Sequence, residues 1–288
     1  MRVLGRLLVA VAGAATARYA LREISIAPPA PTLERTNFRG RTVTLAAGPA
    51  LTVGAVTAAA LGAPSAPAGG AALLAGAGAG AVGLYDDVVG ARPEQKAAKG
   101  FTGHLAALRE GRVTAGLVKI VGVGAVGLGA AALLAADPKV AAHPRRQRQG
   151  VLGRGVDVLL GAGVIAGTAN LLNLLDLRPG RALKSGLLLG APLTRGPHGG
   201  IAAGALGAAS GLLEADLDER VMVGDSGANA LGALLGVTLA ARSGPLGRAG
   251  ILAVLAGLTA ASEKVSFTQV IQRTPGLREL DALGRRTD

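Results

Sequence analysis

The chain has no cysteine and no tryptophan, and among its 288 residues only three are phenylalanine, two tyrosine and three histidine. Without cysteine, disulfides and thiolate metal sites are excluded, and the redox compartment is left open. Without tryptophan there is no aromatic belt at a lipid boundary, so anchoring falls to Arg and Lys, whose long stems can snorkel. The aromatic poverty also argues against nucleic acid as the partner of a chain with net charge +12, because its cations lack neighbouring rings on which bases could stack. Acidic residues are scarce as well, 18 against 30 Lys and Arg, so each one close to apolar sequence is informative.

What remains is Ala, Gly, Leu and Val. Half of the residues are hydrophobic and 46 are glycine. A soluble core relies on large side chains. Helices packed in lipid instead approach one another through small ones.

A membrane-crossing helix needs roughly 20 mostly apolar residues. Nine runs qualify or come near: 3–20, 44–62, 69–84, 115–136, 156–175, 183–193, 201–213, 228–241 and 246–261, the sixth and seventh being short. The expectation is an all-α, polytopic membrane bundle of about nine transmembrane helices, a single domain over 1–288 with its N-terminus outside. Arg2 and Arg6 ahead of Ala15-Thr16-Ala17 also fit a secretory leader, although the first run is long for one.

Alternation then places residues 21–43, 85–114, 176–182, 214–227 and the tail 262–288 in the cytoplasm. Those segments hold Arg22, Arg35, Arg39, Arg41, Arg92, Lys96, Lys99, Arg109, Arg112, Lys264, Arg273, Arg278, Arg285 and Arg286, the bias expected of inner loops. Lys139, Arg145, Arg146, Arg148 and Arg154 fall on the opposite side and run against that bias. In the tail, Leu277, Leu280 and Leu283 recur at helical spacing, as in a short helix on a membrane surface.

Carboxylates mark three edges of these runs. Asp86 and Asp87 close the third, Asp176 closes the fifth and Asp225 opens the eighth. An acid bordering hydrocarbon is costly unless water, a cation or a partner compensates it. Adjacent Asp86 and Asp87 repel unless a cation lies beside them, and magnesium, which prefers carboxylate oxygen and keeps ligand positions for phosphate and water, suits that role. Paired acids also merely end a helix in solvent, so the pair alone decides nothing. Asn170, Asn173 and Asp176, spaced by three, form a polar stripe on one helix, able either to bind a substrate or to join helices. Arg178, Arg181 and Lys184 follow within reach of an anion, with Pro179 and Gly180 fixing a turn. Gly224-Asp225-Ser226-Gly227 opens the eighth run, where backbone N–H groups at a helix start could face an oxyanion.

In this order, and together with Arg35-Thr36-Asn37-Phe38-Arg39-Gly40-Arg41 in the first inner loop, these motifs resemble the polyprenyl-phosphate hexose-1-phosphate transferases. That membrane family includes the phospho-N-acetylmuramoyl-pentapeptide and N-acetylglucosamine-1-phosphate transferases. The resemblance covers most of the chain. It implies a plasma-membrane enzyme of cell-wall biogenesis that moves a sugar 1-phosphate from a UDP-sugar to polyprenyl phosphate with Mg2+ or Mn2+, its active site on the cytoplasmic face. It further implies Asp225 as metal ligand, Asp86, Asp87 and Asp176 as catalytic, and Asn37, Lys96, Lys99, Asn170, Asn173, Arg178, Arg181 and Lys184 as substrate-binding. A homodimer is compatible with it.

Two departures stand out. Relatives carry a Gly-x-Asp-Gly segment after the matched Asp176, where this chain has Leu177-Arg178-Pro179-Gly180, and no histidine follows His198 where relatives have a late histidine motif. Of the other two histidines, His143 falls in an outer loop and His104 in an inner one. A silent relative that binds the lipid carrier and assists another envelope protein is the alternative, and a transporter, which should carry acids near mid-span, ranks below both.

Overall fold

In the computed structural model, residues 3–28, 30–92, 103 and 107–286 are described. Each of the nine apolar runs is helical: α1 Val3–Ile26, α2 Ala47–Gly62, α3 Ala66–Tyr85, α4 Ala115–Ala135, α5 Val151–Leu175, α6 Arg181–Gly190, α7 Gly199–Leu217, α8 Gly224–Arg242 and α9 Pro245–Ser262. Two short helices, α10 Phe267–Arg273 and α11 Leu277–Ala282, form the tail and include the leucine-spaced segment. Starts are marked chemically. Ser65 caps α3 by accepting from the Ala68 amide, Thr114 caps α4 through the Leu117 amide, and α9 begins with Pro245, whose missing N–H costs nothing there.

The helical bundle carries one addition that an all-α expectation omits. Residues Glu34–Thr36 (β1) and Thr42–Thr44 (β2) pair antiparallel, with Arg35 opposite Val43. The β-branched run Thr42-Val43-Thr44 suits a strand. Asn37 closes the turn, its Oδ1 accepting from the Arg39 and Arg41 amides at 2.9 and 3.0 Å. The hairpin reaches the start of α8, since the Met222 amide donates to the Thr44 carbonyl at 2.8 Å.

Small residues fill much of the interior, beside buried Leu51, Leu134, Ile165, Leu172 and Leu234, while many other large apolar side chains face outward. Ala47, Ala50, Ala55, Ala59, Ala68, Ala72, Ala75, Ala79 and Ala228 are fully buried, whereas Val3, Leu4, Leu7, Leu8, Leu61, Val121, Leu159, Leu246 and Val254 are exposed. So many exposed large apolar side chains mark a surface suited to lipid contact. Five helical segments, Val3–Ile26, Ala66–Gly90, Ala115–Ala135, Val151–Leu175 and Pro245–Ser262, are long and apolar enough to cross a membrane, and Ala47–Gly62 is apolar but shorter. Centrally, α8 packs against α2, α3 and α5, while α7 packs against α1 and α2 and α9 rides on the outside of α5.

Because successive helices run in opposite directions, the ends of α3, α5 and α7 meet the starts of α4, α6 and α8 at one end of the bundle. The carboxylates lie there.

Candidate functional site

The end of α3 continues into a π-helical turn, Asp86–Gly90. Such wide turns inside helices recur at functional positions. Here the two adjacent acids face different partners. Asp86 lies 3.1 Å from the ammonium of Lys119 on α4. Asp87 turns to α8 and accepts from the backbone amides of Asp225 and Ser226, each at 3.0 Å.

Two glycines allow that meeting. Gly224 adopts φ +60°, the left-handed conformation that aims the first amides of α8 at Asp87. On α3, a Cβ at Gly83 would sit 2.5 Å from the carbonyl carbon of Asp225, so only glycine lets the two helices approach this closely. The Ser226 hydroxyl fixes the same crossing by donating to the Gly80 carbonyl at 3.0 Å. The oxyanion position expected at the start of α8 is therefore filled by the chain's own Asp87 carboxylate, favoured there by the positive helix end.

Asp225 is gripped from two sides. Its carboxylate pairs with Lys119 and accepts from Asn173 Nδ2 at 2.6 Å, and Asn173 Oδ1 in turn accepts from Lys119 at 3.0 Å. Two carboxylates and one amide oxygen thus converge on a single cation. Asp176, which ends α5 one turn beyond Asn173, faces the Gly224 amide. Burial, then the charges of Asp216, Asp225 and Asp87, push its carboxyl well above the usual carboxylate range. Asp216, near the end of α7, is buried and accepts from the Gly180 amide at 2.7 Å.

Two cavities flank this cluster. One, of about 200 Å³, is lined by Asn37, Phe38, Asp176, Arg178, Pro179 and Asp216 among others, and the Arg178 guanidinium stacks 4.1 Å from the Phe38 ring centre. The other, of about 440 Å³, runs from Asp86 and Lys119 along Ile120, Val123 and Ala166 to Asn170, Asn229 and Glu263. Asn229 lies one turn after Asp225 on α8 and leaves its buried Nδ2 without a partner among the described residues.

No family model matches this chain, and neither does any curated protein. The site has to be read from its own geometry.

Asp86, Asp87, Asn173, Asp176 and Asp225 come together. The remaining sequence-nominated residues disperse around them. Asn170 donates to Thr259 Oγ1 on α9 at 3.0 Å, joining helices at the wall of the larger cavity. Asn37 donates to Glu219 at 2.6 Å, where the β1–β2 hairpin meets the segment between α7 and α8. Arg178 stays at the smaller cavity. Arg181 and Lys184 point to the tail: Arg181 grips Asp281 through two bonds of 2.8 and 2.9 Å, and Lys184 donates to the carbonyls of Leu280, Asp281 and Leu283. Lys96, Lys99 and His104 lie outside the described residues. His198 lies at the other end of the bundle, 3.2 Å from Asp137.

Sequence reasoning missed Lys119, Asp216 and Asn229. For Lys119 there was a usable signal, a single lysine inside an otherwise apolar run. Asp216 hides in the acid-rich segment Glu214–Glu219, which reads as solvated surface.

Among the described residues no three His, Cys, Asp or Glu side chains are disposed as a closed metal site. Magnesium is commonly held by one or two carboxylates plus substrate phosphates, so Asp225 and Asp86, already converging on a cation, are a chemically suitable pair.

Proposed function

We propose that the chain is a divergent polyprenyl-phosphate glycosyl-1-phosphate transferase, with nine helices crossing the plasma membrane, the N-terminus outside and the carboxylate cluster at the cytoplasmic face. The observation that carries this reading is the convergence of Asp86 and Asp225, from different helix ends, on one cation between two cavities. The larger cavity, opening along apolar α4 and α5 side chains, suits the phosphate end of a prenyl lipid. The smaller, with Phe38, Arg178 and the inner loops, suits the nucleotide donor.

In this proposal an oxygen of the lipid phosphate attacks the sugar-linked phosphorus of the UDP-sugar, and the bond from that phosphorus to the UMP oxygen breaks. UMP leaves and the lipid diphosphate sugar forms. The lipid phosphate needs no general base, since a phosphomonoester with a second pKa near 6 is already largely dianionic at neutral pH. A divalent ion held by Asp225 and Asp86 would supply charge neutralisation of the phosphates. Lys119, displaced from the two acids, would contact phosphate oxygens, and Asn173 would keep Asp225 oriented. Asp87 anchors α8 and thereby sets the position of Asp225 relative to α3.

The test is UMP release by detergent-purified protein given polyprenyl phosphate, Mg2+ or Mn2+ and a panel of UDP-sugars. Release abolished in Asp225→Asn supports the transferase. Intact donor across the panel, with lipid phosphate still bound, would instead favour the silent lipid-carrier relative.

A further inference from the structure

A second charged cluster occupies the opposite end of the bundle and has no part in the proposed transfer. Asp157, in the first turns of α5, is buried, and so are Arg146 in the preceding loop and Arg248 at the start of α9. Arg146 lies 2.7 Å and Arg248 3.2 Å from the same carboxylate oxygen, Asp157 Oδ2. Arg248 is otherwise occupied by backbone, donating to the Ala240 carbonyl at 3.0 and 2.7 Å and to the Asp157 carbonyl at 2.9 Å. Two buried guanidinium ions therefore share one carboxylate. A buried charge without its counter-ion is strongly unfavourable, so the cluster calls for one more negative charge.

A cavity of about 230 Å³ lies against it, lined by Arg146, Gln147, Gln149, Arg154 and Asp157 with a few apolar neighbours. At about 30 Å³ per water this holds several waters or one tetrahedral oxyanion. Its walls are not purely cationic. Asp157 Oδ1 and Gln149 Oε1 are buried and without a hydrogen-bond partner among the described residues, and both are acceptors. A simple anion would satisfy Arg146 and Arg154 while leaving these two oxygens unpaired or repelled. An oxyanion that still carries an O–H satisfies both kinds of group.

We infer that this cavity binds a protonated phosphate, either free hydrogen phosphate or the phosphomonoester head of a lipid in its monoanionic form, the species that keeps an O–H for these acceptors to select. Arg146 and Arg154 take its oxygens, and Asp157 Oδ1 or Gln149 Oε1 accepts its hydroxyl. The same chemistry accounts for cations concentrated in the one loop that runs against the positive-inside bias. Sulfate, of similar size but without a proton at neutral pH, is rejected by Asp157.

Equilibrium dialysis of the full chain in detergent with radiolabelled inorganic phosphate tests this at fixed ionic strength, with unlabelled phosphate, sulfate or short-chain phosphatidic acid as competitors. Arg154 is exposed, so Arg154→Gln should fold normally, as its circular dichroism will verify. The expected result is saturable phosphate binding, weakened at least tenfold by Arg154→Gln and not competed by sulfate. Displacement by phosphatidic acid as well identifies a lipid head as an accepted source, and displacement by phosphate alone identifies the free ion. Absence of binding, equal competition by sulfate, or full binding retained in Arg154→Gln overturns the inference.

Discussion

Asp87 accepts two hydrogen bonds from the first turn of α8, and the residue whose amide supplies one of them, at 3.0 Å, is Asp225. The acid that closes α3 thus serves as the cap of the helix that presents the principal acid of the site. Asp87→Ala should remove this cap at a cost of about 1–2 kcal/mol, while Asp87→Asn, which keeps one acceptor oxygen, should lose less. Thermal melts followed by far-ultraviolet circular dichroism would rank wild type above Asn and Asn above Ala; equal stability of all three would show that the cap contributes nothing.

Lys119 holds Asp86 and Asp225 together in the absence of another cation. Lys119→Met should therefore be destabilising by about 1–3 kcal/mol, less than for removing one partner of a fully buried pair, because all three side chains are partly exposed. Added Mg2+ should restore much of that loss, because it supplies the missing charge to the same two acids. A Lys119→Met protein whose melting temperature ignores Mg2+ would argue against those acids as its ligands.

Gly83 faces the backbone of Asp225 with no room for a side chain. Gly83→Ala should cost about 1–3 kcal/mol through overpacking. It should also lower turnover more than it changes substrate affinity, since it shifts α8 against α3 without touching a ligand. The comparison needs kcat and KM measured separately, and a change confined to KM would contradict the assigned role.

The tail is held by a bidentate pair between Arg181 and Asp281, joined by Arg285 at 2.6 Å. Against the cost of its burial, the hydrogen bonds and charges of Arg181 and then Arg285 hold the Asp281 carboxyl below the usual carboxylate range. A carboxylate whose pKa is depressed by folding stabilises the docked tail above its unfolded pKa, and that contribution is lost as pH falls through the folded value. With a dye on Ala282→Cys, clean because the chain has no native thiol, anisotropy should drop on acidification below the ordinary aspartate pKa. Asp281→Asn should give the low value at every pH. A flat wild-type profile would mean that the tail is held by its apolar contacts instead.

The helices were legible because apolar runs in a chain this poor in aromatics leave few other places for Ala and Gly to go. Each of the nine expected runs holds one of α1 to α9, but the boundaries differ: α5 extends back to Val151, α2 starts only at Ala47 because Thr44 belongs to β2, and α6 stops at Gly190. The acids of the site were legible for the complementary reason, since Asp86, Asp87, Asp176 and Asp225 each interrupt or border hydrocarbon sequence. Direction within the pair Asp86-Asp87 was not, because the π turn that sends one toward α4 and the other toward α8 depends on packing against Gly224 and Lys119. Arg181 and Lys184 illustrate the limit from the other side. Their proximity to Asp176 in sequence suggested an anion site, yet α6 turns them toward the carbonyls and carboxylate of the tail, a contact about 100 residues away that no local pattern encodes. The β1–β2 hairpin was hidden in the same way, its strands being three residues each.

The most direct measurement replaces magnesium with Mn2+ and reads the metal by electron-nuclear double resonance in the presence of polyprenyl phosphate. The account predicts stoichiometric Mn2+ that shows coupling to the lipid 31P, with both the bound metal and the coupling lost in Asp225→Asn. Mn2+ binding no stronger than in that variant, or bound metal without phosphorus coupling, would contradict the placement of a divalent ion and a lipid phosphate at these acids.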